Sequence, residues 1–129
     1  MGLANIFRVC GVLFILFAAG LFVGAIVFSE SYFDETDTDD HIRHVKQMAL
    51  IISSLGVGTG ILFLLSSLIK DVNSSKIVLL GVTVVSLLLL ISFVVNQSVY
   101  SEGPPIPVWI ILGLAFVFSV YGRLRVNRI

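Results

Sequence analysis

Hydrophobic positions along this chain gather into four long runs, and short polar segments separate them. Val9 to Phe28 (VCGVLFILFAAGLFVGAIVF) is the first, 20 residues without a charge. At a helical rise of ~1.5 Å per residue such a run covers roughly 30 Å, the depth of a bilayer hydrocarbon core. The second uncharged run, Met48 to Ile69, continues without a break from the polar headpiece DDHIRHVKQ. A helix is therefore expected from Asp39 or Asp40, where a carboxylate meets free N–H groups and the positive end of the helix dipole. Its first turns stand at or above the interface.

The third run, Ile77 to Val95 (IVLLGVTVVSLLLLISFVV), is rich in the β-branched residues that favour strands. Lipid overrides that preference, because a lone apolar span must satisfy its own backbone groups, and only a helix does so. Asn96 to Pro107 breaks the pattern, with Pro104, Pro105 and Pro107 excluding helix through the end of the loop. Ile106 to Tyr121 is the fourth run, short for a full crossing, with Trp109 and Tyr121 near its ends as interfacial aromatics. The expected architecture is all-α: a polytopic membrane protein with four transmembrane helices in a compact antiparallel bundle. It forms a single domain over 1–129, with spans near 9–28, 45–69, 77–95 and 106–121.

Composition agrees with the pattern. Of 129 residues, 57% are hydrophobic and 12% charged, where soluble domains carry about 25%. Mean hydropathy is +1.08. Arg8 ahead of the first run resembles the start of a secretory signal. The run exceeds the usual apolar stretch of roughly 7–15 residues, and no small-x-small cleavage site follows, so a retained first helix is expected. Cys10 is the one cysteine, which excludes an intrachain disulfide.

Net charge is zero, yet the charges segregate. Arg8, Lys70, Lys76, Arg123, Arg125 and Arg128 fall on the N-terminus, the second loop and the C-terminus, which share one side in a four-span chain. The other side holds only Arg43 and Lys46, against seven of the eight carboxylates. Six basic residues against two places both termini in the cytoplasm, since short loops follow the positive-inside rule.

Two kinds of residue are candidates for function. Ile42, Lys46, Ala49, Ser53, Gly56, Gly60, Phe63 and Ser67 recur at alternating spacings of four and three, a seam whose centre is small. In lipid no hydrophobic force draws helices together, and small residues that let backbones approach take its place. Helix 1 offers a partner seam at Gly11, Phe14, Ala18, Leu21, Ala25 and Phe28. Gly20 and Gly24 lie on roughly its opposite face, as a second contact for a partner helix or a second copy.

The other candidate is the acidic headpiece. Asp37, Asp39, Asp40, His41 and His44 are the weak candidates for a metal site. They lack the fixed ligand spacing of zinc motifs and the glycine and terminal glutamate of a calcium loop. A solvated loop and helix cap is the expected role, with no metal and no cofactor. No Asp, Glu, Lys, Arg or His falls inside any of the four uncharged runs, which argues against coupled transport, and no nucleophile constellation is present. The expected function is a non-catalytic accessory or assembly subunit of a membrane complex. The alternatives are an oligomeric channel or facilitator lined by hydroxyls, and an interfacial enzyme using His41, His44 and the aspartates. Partners are the lipid bilayer and a membrane protein or second copy, not nucleic acid.

Overall fold

The computed structural model describes residues 1–28, 33–101 and 103–129. Four helices carry the fold: α1 (Leu3–Phe22), α2 (Asp39–Ser66), α3 (Val72–Val99) and α4 (Ile106–Arg125). All four, α1 together with the π-helical turn Val23–Val27 that extends it, are long and apolar enough to cross a membrane. Large apolar side chains such as Leu62, Leu68, Ile77, Val99 and Leu124 stand exposed on the outside, as they do when the surrounding solvent is lipid. The chain is an all-α, multi-pass membrane protein.

The helices outrun the apolar spans that announce them. α1 begins at Leu3, and its first turn includes neither a cap side chain nor an acid. Instead the carbonyls of Arg128 and Ile129 accept hydrogen bonds from the N–H groups of Leu3 and Ala4, at 2.9 and 3.3 Å. α3 starts five residues before its apolar run, because Asp71 caps it by accepting from the Ser74 backbone and hydroxyl at 2.7 and 2.6 Å. Those bonds favour the ionised form and hold the Asp71 carboxyl below its ordinary value. Lys76 is thereby helical rather than part of the connector.

At the head of α2 the cap is not an aspartate, as the sequence suggested, but Thr38, whose hydroxyl accepts from the His41 N–H at 3.2 Å. Asp39 and Asp40 occupy the first turn, where they face the positive end of the dipole. α4 starts at Ile106 with Pro107 inside its first turn, a place where a missing N–H costs nothing. It runs on to Arg125, so the fourth helix has 20 residues and is no longer short.

α1 is the centre of the arrangement. It packs extensively against α2 on one side and α4 on the other, while α3 packs against α4 and α2 scarcely meets α3. Each extensive contact is antiparallel. Gly11 and Ala18 of α1 face Gly60 and Gly56 of α2; Ile6 and Cys10 face Gly122 and Ala115 of α4; and Lys76, Thr83 and Phe93 of α3 meet Arg123, Ser119 and Trp109 of α4. The core follows α1: Leu3, Ile6, Phe7, Cys10, Phe14 and Phe17 are all but inaccessible. Phe14 meets Phe63 of α2 edge-on at 5.1 Å, and Phe17 reaches Phe93 of α3 at 6.3 Å. The chain's charges end up at opposite poles of this bundle.

Candidate functional site

Hydroxyls at membrane depth are the first groups to ask about, since a conducting path needs free polar atoms. Ser53, Ser54, Thr59, Ser66, Ser86 and Ser92 each donate to the carbonyl four residues back, at 2.6–2.9 Å. Such back-bonding meets the needs of the side chain inside its own helix. Thr83 alone among them reaches another helix, donating to the Ser119 hydroxyl of α4 at 2.9 Å. Ser119 lies within the fourth apolar run, and the pairing was invisible in the sequence because it links positions far apart in the chain. Among the described residues, one buried polar side-chain atom has no hydrogen-bond partner, the Ser75 hydroxyl in the first turns of α3.

The small residues of α2 meet α1. Ala49, Ser53, Gly56, Gly60 and Phe63 are its buried positions, and they lie along the seam read from the spacing. A Cβ built on Gly60 would stand 2.6 Å from Ile15 Cγ1 and 2.8 Å from the Gly11 carbonyl oxygen. One on Gly56 would stand 2.8 Å from Ala18 Cβ. The contact is mutual, because a Cβ on Gly11 would lie 2.7 Å from the Gly60 carbonyl oxygen. Gly11, Phe14, Ala18 and Ala25 are buried on the α1 side, whereas Leu21 is only half-buried and Phe28, past the π-helical turn, is exposed. The turn shifts the register there, so the heptad spacing no longer keeps Phe28 on the seam.

Gly20 and Gly24 differ from that seam. Gly20 is exposed, and a Cβ there would meet nothing within 4 Å. Gly24 lies half-buried within the π-helical turn. An apolar groove of about 470 Å³ that neither glycine lines runs between α1 and α2, bounded by Ala18, Ala19, Phe22, Val23, Leu50, Ser53, Ser54 and Val57.

The headpiece holds its candidates apart. His41 Nε2 stands 3.8 Å from an Asp37 carboxylate oxygen, and His44 Nδ1 stands 3.0 Å from the main-chain oxygen of Asp40. The Asp40 side chain is taken by Arg43 at 3.1 Å. Asp39 remains on the first turn of α2, and no three His, Cys, Asp or Glu side chains converge on one point among the described residues. Each imidazole therefore faces a partner of its own rather than a shared centre. Glu30 and Glu102 lie outside the described residues.

Compared with protein-family models, with curated proteins and with solved structures, the chain matches none of them. The class that fold and geometry define is a small four-helix integral membrane protein.

The glycines supply a contrast to test. Gly60→Leu forces a side chain into the α1 backbone, where neither partner yields, and is expected to lower stability by about 1–3 kcal/mol or more. Gly58→Ala, which enters open space, is expected to be neutral or to gain ~0.5–1 kcal/mol from backbone entropy. Reversible unfolding in bicelles measures both, and a Gly60→Leu protein as stable as the parent would place this face of α2 against lipid.

Proposed function

We propose that this protein is a non-catalytic accessory or assembly subunit that acts by binding another membrane protein. The observation that carries the reading is the outward-facing glycine of α1. A helix interior loses stability for each glycine it contains, by roughly 1 kcal/mol against alanine, unless a close approach repays it. Gly11, Gly56, Gly60 and Gly122 have that approach inside the chain; Gly20 on α1 has none, as is also true of Gly58, Gly81 and Gly113 on the other helices. A small residue facing lipid on the outer side of α1 suits the close docking of a transmembrane helix. The back-bonded hydroxyls of α2 and α3 weigh against a hydroxyl-lined pore, and the divergent histidines weigh against interfacial catalysis.

In this reading both termini face the cytoplasm and the acidic headpiece lies outside, where it offers a charged surface to a basic outer domain. Single cysteines in a Cys10→Ser background test the orientation. Thr36→Cys is expected to react with an impermeant maleimide on intact cells, and Lys70→Cys only after permeabilisation. The reverse pattern would invert the protein. Lys70 is exposed in the connector between α2 and α3, so a cysteine there is open to the reagent.

Purification of the tagged protein in mild detergent from cells that express it natively tests the partner. A stoichiometric heterologous membrane protein is expected, and it is expected to be lost in Gly20→Leu while the bundle keeps its thermal stability. A homo-oligomer that conducts ions after reconstitution, or a partner indifferent to Gly20→Leu, would refute the reading.

A further inference from the structure

At the basic pole a cavity of about 360 Å³ is lined by Met1, Tyr121, Arg125, Val126, Asn127 and Arg128. Its lining includes two arginines and no aspartate or glutamate. Three other cations of this pole are engaged within the protein, while Lys70 stands exposed in the connector away from the cavity: Arg8 donates to the Asn5 side chain at 3.2 Å, Arg123 donates to the Lys76 carbonyl at 3.2 Å, and the Lys76 ammonium donates to the Asn127 side-chain oxygen. Arg125 and Arg128 have no hydrogen bond or ion pair through their side chains among the described residues. The acid of this pole, Asp71, is committed to capping α3.

The walls of the cavity are fixed before any ligand arrives. Val126 leaves α4 in extended conformation, and its side chain is buried in the core. The Arg128 and Ile129 carbonyls are tied to the first N–H groups of α1. Those bonds occupy the Leu3 and Ala4 donors of the α1 terminus, and the polar side chains of the lining are what the cavity offers an anion. Tyr121 and Arg125 sit one turn apart on the same face of α4. With Tyr121 half-exposed and Leu124 69% exposed, the cavity opens where the apolar span ends. The Asn127 oxygen is occupied by Lys76, which leaves its amide N–H groups free to donate.

We infer that this cavity binds a phosphate anion, presented by the headgroup of an anionic phospholipid. Arg125 and Arg128 supply planar, forked donors that match phosphate oxygens, and the Tyr121 hydroxyl and Asn127 amide supply neutral ones. Basic pockets at the ends of transmembrane helices recognise headgroups by this chemistry. The inference is independent of the partner docking on α1.

Native mass spectrometry of the detergent-purified protein, titrated with phosphatidylglycerol, phosphatidylcholine or inorganic phosphate, tests it. The wild-type protein is expected to bind phosphatidylglycerol about tenfold more tightly than phosphatidylcholine, and Arg125→Gln/Arg128→Gln to remove most of that preference. Arg8→Gln/Lys70→Gln removes the same charge from the same pole outside the cavity and is expected to keep it. All four side chains belong to exposed residues, so unchanged thermal midpoints certify the fold of each double variant. Equal losses in the two doubles, or no headgroup preference in the wild type, would overturn the site. Inorganic phosphate binding as tightly as phosphatidylglycerol, and lost only in the cavity double, would keep the anion site and overturn the lipid as its source.

Discussion

The structure depends on the place where the backbones of α1 and α2 touch. In water, burying leucine and phenylalanine would hold the helices together; in a bilayer the surrounding tails are as apolar as the side chains, and that force is absent. What remains is dispersion between atoms that come close, and each pair contributes only ~0.1–0.2 kcal/mol. Many such pairs form only where no side chain intervenes. Gly11 and Gly60 provide that absence on facing helices, each lying against the other's carbonyl oxygen. Ala18 against Gly56 extends the contact, about one turn further along α2 and two along α1.

Helix α1 therefore works as the hub. It offers its small seam to α2 and the Leu3, Ile6 and Cys10 side to α4, while Phe14 and Phe17 fill the space between the neighbours. α3 hangs chiefly on α4, through the Thr83–Ser119 hydroxyl pair and the Phe93–Trp109 contact at 5.9 Å. A chain built this way has few polar atoms left to do chemistry at depth, and its distinctive surfaces are at the rim. One is the glycine-bearing edge of α1; the others are the acidic headpiece and the uncompensated arginines of the basic pole.

Much of this was legible in the residues because lipid narrows the choices. A long uncharged run has to be a helix, so even the β-branched stretch from Ile77 was readable, and alternating spacings of four and three picked out the face of α2 that meets α1. Three things were not readable. Helix ends are set by caps and by groups brought from elsewhere, such as Thr38 for α2 and the Arg128 carbonyl for α1. The register past Val23 depends on a π-helical turn that hydropathy does not mark. The cavity of the basic pole combines the end of α4 with an extended tail that folds back on α1, a juxtaposition that exists only after folding. Charge counting found Arg125 and Arg128 as topology signals, but it could not distinguish them from Arg123, whose guanidinium is engaged.

The most direct test of the backbone contact is a double-mutant cycle on Gly11→Ala and Gly60→Ala, read by reversible unfolding in bicelles. Either methyl alone has to push the two helices apart, since each would stand less than 3 Å from the opposing carbonyl. Once one has done so, the second has less left to break. The double variant is therefore expected to be more stable than the sum of the single losses implies, with a coupling of about 0.5–3 kcal/mol. Losses that add to within about 0.5 kcal/mol, or two variants that lose nothing, would contradict the claim that this contact holds α1 against α2.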